Sequence, residues 1–88
     1  MMEKVLTVTP KLGLHARPAA LFVQEAGRFK ATVMVSKDGV EINGKSVMGL
    51  MLLAAEHGSK LTIKVNGPDE KPALEAIEKL FARKFDEA

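Results

Sequence analysis

Two runs rich in β-branched residues, Ala31 to Lys37 and Val40 to Asn43, meet at Asp38-Gly39. A two-residue hairpin loop of type I′ needs positive φ at both central positions, which glycine adopts freely and aspartate tolerates. The dipeptide therefore predicts an antiparallel hairpin in the middle of the chain. A lone hairpin is not stable in water, so the flanking sequence has to supply more strands and a cover for one face.

The flanks read that way. Lys60 to Asn66 alternates Leu61, Ile63 and Val65 against Thr62, Lys64 and Asn66, the pattern of a half-buried strand. Residues 3–9, with Val5, Leu6 and Val8 among polar neighbours, predict a first strand. From Ala16 to Ala26 the residues Ala19, Phe22, Val23 and Ala26 fall on one helical face, and Gly27 is expected as a left-handed cap with Arg28 near the negative end of the dipole. Val47 to Glu56 predicts a short, almost wholly apolar helix ending at His57-Gly58. Ala73, Leu74, Ile77, Leu80, Phe81 and Lys84 share a period in a last helix, with Asp69 as N-cap and Pro72 in the first turn. The order is βαββαβα, an α+β arrangement with helices on one face of an antiparallel or mixed sheet. Periodicity leaves strand order open.

The chain has 88 residues, so residues 1–88 are read as a single domain. It has no cysteine, which excludes disulfide frameworks, thiol catalysis and cysteine-rich metal sites. The N-terminus has no basic stretch leading into an apolar run, and Val47 to Ala55 is far shorter than the ~20 residues that span a bilayer. A cytoplasmic protein with no membrane insertion is expected. A net charge of +2 without clustering, and four Phe with no Trp or Tyr, argue against nucleic acid.

The chemistry concentrates in Gly13-Leu14-His15-Ala16-Arg17-Pro18-Ala19-Ala20. Pro18 suits a first helical turn, which puts His15 at or beside the N-cap. The backbone N–H groups of Ala16 and Arg17 then lack helical acceptors and, with the helix dipole, form an anion site. Arg17 adds a permanent, planar cation suited to phosphate. The positive potential of a helix start favours the neutral, nucleophilic form of His15. A phosphoryl group carried transiently on that ring would be held by the same donors.

The segment Gly13-Leu14-His15-Ala16-Arg17-Pro18-Ala19, together with Asn43-Gly44-Lys45-Ser46-Val47-Met48-Gly49, resembles the two signatures of the HPr family. These are the histidine-containing phosphocarriers of the bacterial phosphoenolpyruvate-dependent sugar phosphotransferase system. The likeness runs over essentially the whole chain. It implies an open-faced β-sandwich of four antiparallel strands in the order 1-4-2-3 with three helices on one face. It further implies that enzyme I phosphorylates His15 on Nδ1, that Arg17 is the accompanying cation, and that the phosphate passes to IIA components of sugar permeases. A monomer without cofactor or metal is implied. Leu12 departs from relatives that have a polar residue there supporting the active-site turn.

Ser46 precedes the apolar helix, where its bland role is N-cap. In some family members the matching serine is phosphorylated by a dedicated kinase, and a phosphate at a helix start is electrostatically tolerable. The apolar residues of that helix surround it; Leu50 and Leu53 are expected in the core. Val47, Met48 and Met51 are expected in an exposed docking patch near His15. His57 is read as a cation in the helix's last turn without companion metal ligands. Lys45, Arg28 and Lys30 are read as solvated charges whose rim could steer acidic partners.

The leading reading is a phosphocarrier that is not itself an enzyme. A nitrogen-type regulatory relay would use the same His15 chemistry. A protein-binding regulator controlled through Ser46 is a different class. An independent hydrolase fares worst, because the motif has no second His, Ser or carboxylate to complete a catalytic constellation.

Overall fold

A computed structural model describes residues 1–86. Four strands, β1 (Met2–Thr7), β2 (Thr32–Lys37), β3 (Val40–Asn43) and β4 (Lys60–Asn66), form one antiparallel sheet in the order β1-β4-β2-β3. Three helices, α1 (Ala16–Gly27), α2 (Val47–Leu52) and α3 (Glu70–Ala82), complete the order βαββαβα. The hairpin turns at Asp38 and Gly39, both with positive φ, in agreement with the type I′ requirement.

Register sets which side chains meet the helices. Leu61, Ile63 and Val65 of β4 stand opposite Leu6, Lys4 and Met2 of β1, and Ile63 and Val65 stand opposite Val35 and Val33 of β2. The three β4 residues and the two of β2 are buried. Lys4 points to the same side, where its ammonium pairs with Glu78 of α3 at 2.8 Å. The opposite face holds Thr62, Lys64 and Ser36 in the alternate positions. One covered and one polar face is what the alternation of β4 demands.

Phe22 of α1 is fully buried and meets Phe81 of α3 edge-on, with centroids 6.2 Å apart. Phe81 in turn packs on Phe85 at 4.8 Å. Lys84, expected on the periodic face of the last helix, instead follows its end. Lys84, Phe85 and Asp86 all have positive φ, and this left-handed turn folds Phe85 back into the core. Left-handed backbone costs about 1–2 kcal/mol per non-glycine residue, and burial of the Phe85 ring against Phe81 offsets part of that cost.

Other local expectations also give way to tertiary contacts. Gly27 is not a left-handed cap; it is the last residue of α1, and Arg28 follows as C-cap at φ −71°. Arg28 pairs with Glu25 at 2.8 Å and stacks over Phe29. Lys45 is not a solvated charge: its half-buried side chain donates to the Phe29 carbonyl at 2.8 Å. Asp69 sits at the N-cap of α3 but makes no side-chain cap bond. Its carboxylate accepts from the N–H groups of Lys30 and Ala31, both at 2.8 Å, and so ties the α1–β2 connection to the start of α3.

Those bonds, chiefly the Lys30 N–H, hold the Asp69 carboxyl below its ordinary value against the opposing effect of burial. A depressed folded-state pKa gives stability that is present above about pH 4 and lost as pH falls through the lower folded value. Urea midpoints of the natural chain and of Asp69→Ala are therefore expected to differ at neutral pH and to converge below about pH 4. A gap independent of pH would show that the carboxylate's charge is not what holds the connection.

Candidate functional site

The loop from β1 to α1 is anchored at each end. Val8 extends the β1–β4 ladder, donating to the Ser59 carbonyl at 2.8 Å and accepting from Gly58 N–H at 2.9 Å. Thr9 Oγ1 donates to the Phe81 carbonyl at 3.1 Å. The chain then turns tightly, with Gly13 N–H bonded to the Pro10 carbonyl at 3.0 Å, and Leu14 N–H closes onto the Ala55 carbonyl at 2.9 Å while its side chain enters the core. Gly13 has φ +75°, and a Cβ there would land against the Ala55 carbonyl oxygen. Only glycine satisfies both conditions.

His15 follows as the N-cap of α1, with extended backbone at φ −77° and ψ −171°. Its carbonyl accepts the first helical bond, from Ala19 N–H at 3.0 Å. Its side chain is exposed and makes no cap bond, so the ring nitrogens are not consumed by the helix. Because Pro18, buried in the third helical position, has no N–H, the unpartnered donors of the first turn are those of Ala16 and Arg17. Arg17 is exposed, and none of the ion pairs among the described residues uses its guanidinium. Together these groups can bind a small oxyanion beside a nucleophilic nitrogen.

His15 lines an open depression of about 510 Å³ together with Lys11, Leu12, Met51, Glu56 and His57. The expected apolar patch divides. Met51 lines this depression, and Met48, three residues earlier on α2, is 76% exposed. Val47, expected exposed, is half-buried and packs against the core. Leu52 and Leu12 are 77% and 80% exposed, and neither was singled out for docking. Leu50 and Leu53 are buried as expected.

α2 ends at Leu52, not at Glu56, because Ala54 takes φ +49° and reverses the chain. His57 therefore lies outside the helix and complements no dipole. Its Nδ1 faces the carbonyls of Thr9 and Pro10 at 3.2 and 3.3 Å. No helix-period signal could have found this contact, since it depends on the left-handed residue before it. Ser46 is the N-cap of α2: its Oγ accepts from Gly49 N–H at 3.0 Å.

With this geometry in view, the comparisons with known proteins bear on it directly. Residues 2–83 match the family described as PTS HPr component phosphorylation site. The chain belongs to the PTS HPr family. It is 51% identical over 87 residues to the phosphocarrier protein HPr of Treponema pallidum, covering 99% of both chains. It is 53% identical over 77 residues to the HPr-like protein Crh of Halalkalibacterium halodurans, covering 88% of this chain and 92% of that one. The crystal structure of HPr-C-His from Thermoanaerobacter tengcongensis superimposes with a TM-score of 0.96 at 42% identity, covering 100% of this chain and 99% of that one. Family membership thus agrees with the strand order 1-4-2-3 and with three helices on one side of the sheet.

Two substitutions test the frame of the site. Gly13→Ala is expected to cost roughly 2 kcal/mol or more, combining forbidden backbone with a clash on Ala55, read as a lower urea midpoint at unchanged slope. Ser46→Ala is expected to cost about 1 kcal/mol through loss of the cap, which lowers the thermal midpoint by about 4–8 °C in a domain of this size.

Proposed function

We propose that His15 accepts a phosphoryl group on Nδ1 from phospho-enzyme I and passes it to the IIA components of sugar permeases. The observation that carries this reading is an exposed imidazole, free of cap bonds, standing at the N-cap over the unpartnered N–H groups of Ala16 and Arg17. In the first transfer the Nδ1 lone pair forms the new bond to phosphorus as the bond from phosphorus to enzyme I breaks. In the second the acceptor group of IIA forms the new bond as the bond from phosphorus to Nδ1 breaks. The chain ends each cycle as it began, so it serves as an intermediate between enzymes and is not itself one.

The helix amides and the Arg17 guanidinium stabilise the negative charge that arrives with the phosphoryl group. They do so at an open surface, where water screens them. A sealed site would hold phosphohistidine too tightly for release; an exposed one keeps the differential binding modest, as a relay requires. Met48, Met51, Leu12 and Leu52 form the docking face for enzyme I and IIA in turn, their flexible or extended apolar chains adapting to unlike partners. Such a monomeric carrier works in the cytoplasm; no helix among the described residues is long and apolar enough to cross a membrane.

Ser46 adds a second input. Its hydroxyl already sits at a helix start, so a phosphate placed there by a serine kinase, and removed by its phosphorylase, would meet free N–H groups without unfolding α2. Two negative charges beside the docking face would repel acidic partners.

Incubation with enzyme I and labelled phosphoenolpyruvate is expected to give acid-labile, alkali-stable label that moves to a IIA domain. His15→Ala should take up none. Arg17→Ala should slow uptake by about 10- to 100-fold, the effect of losing one charge-assisted contact to phosphate. Stoichiometric labelling of His15→Ala would overturn the assignment.

A further inference from the structure

Three hydrogen-bonded contacts among the described residues tie the loop that delivers His15 to the body of the protein between Thr9 and Leu14. Thr9 Oγ1 reaches the Phe81 carbonyl, Leu14 N–H reaches the Ala55 carbonyl, and the third involves a side chain that the phosphoryl chemistry does not use. His57 Nδ1 lies 3.2 Å from the Thr9 carbonyl oxygen and 3.3 Å from that of Pro10. A carbonyl oxygen only accepts, so this contact is a hydrogen bond only when Nδ1 carries the proton. In the neutral ring that fixes the Nδ1–H tautomer and leaves the lone pair on Nε2. We propose that His57 is a positioning residue for transfer at His15, its Nδ1–H forked between the Thr9 and Pro10 carbonyls to hold the entry of the active loop while the Ala55 carbonyl holds its exit.

The geometry favours this role over the simpler ones. Helix capping is excluded because α2 ends at Leu52, five residues earlier in the chain. A core role is excluded because the ring is exposed. The clamp matters at this place because Pro10 is also the acceptor of the Gly13 turn, at 3.0 Å. A shift of Pro10 is passed through that turn to Leu14 and so to the N-cap. Ala55 and His57 belong to one short segment between α2 and β4, so a single piece of chain grips both ends of the loop. Reactive groups held to within a fraction of an ångström gain rate that loose ones lose, and the loss can be large for small displacements. Here the brace is a long, forked bond, so a moderate effect is expected.

The role rests on the reading of His15 as phosphoryl acceptor, and the experiment separates the two. Long-range proton–nitrogen NMR of the full chain in mildly alkaline buffer should show His57 with a protonated Nδ1 and a bare Nε2. The opposite tautomer, or the averaged shifts of a free ring, would overturn the proposal. Steady-state phosphorylation by enzyme I then gives a functional readout. His57→Phe keeps an aromatic ring without a donor, and its maximal uptake rate should fall about three- to tenfold with KM for phospho-enzyme I unchanged. His57→Asn, whose Nδ2 occupies the place of Nδ1, should restore most of that rate. Full activity in His57→Phe, or an Asn variant as slow as the Phe variant, would remove His57 from the mechanism while leaving His15 as acceptor. A natural chain that takes no label on His15 would sink both.

Discussion

The hydrogen bond from Leu14 N–H to the Ala55 carbonyl is where the sheet, the helices and the reactive ring are brought into one frame. Together with the Thr9 and His57 contacts, it sets how the segment between β1 and α1 lies against the end of α2. The bond exists because two residues take backbone conformations that most residues avoid. Gly13, at φ +75°, lets the loop approach without a Cβ in the way. Ala54, at φ +49°, ends α2 and turns the Ala55 carbonyl to the loop. A left-handed alanine costs about 1 kcal/mol or more, and it lines the same depression as His15. Strain and chemistry share a place here, as they often do where geometry has to be fixed.

From that frame follows a division of labour. The helix start supplies orientation and electrostatics through backbone groups, which cannot rotate away. The neighbouring short helix exposes Met48, Met51 and Leu52, the apolar part of the proposed docking face. A carrier that meets several enzymes needs both: a docking face that adapts to each partner, and a reactive nitrogen presented the same way to all of them. On the proposed reading the two lie on neighbouring helices, where one partner covers them together. On the same proposed reading, Ser46 at the start of α2 lies where added charge would be felt by partners more than by the fold.

Much of this was legible in the chain, and the pattern of what was not has a physical cause. The β4 alternation and the Asp38-Gly39 turn are local signals that tertiary structure only confirms, because burial and turn geometry demand the same residues. His15 as N-cap was legible from Pro18, whose missing N–H suits the first turn. Strand order came from the family resemblance, since register between distant strands leaves no periodic trace. The misplaced elements all involve ends. Ala54 and Lys84 carry no signal for a left-handed turn, so periodicity alone extends α2 to Glu56 and the last helix past Ala82. Asp69 has the residue type of a cap, but its carboxylate is drawn to two N–H groups far off in sequence. Val47 turns inward and Leu52 outward against expectation, because an all-round apolar helix does not disclose which side faces out.

If the free amides at the start of α1 receive the negative charge on phosphorylation of His15, backbone proton–nitrogen spectra recorded before and after phosphorylation will register it. Large downfield shifts and slowed exchange confined to the Ala16 and Arg17 amides are expected, with β4 and α3 unmoved. Unperturbed amides at those two positions, with the main shifts elsewhere, would contradict the account.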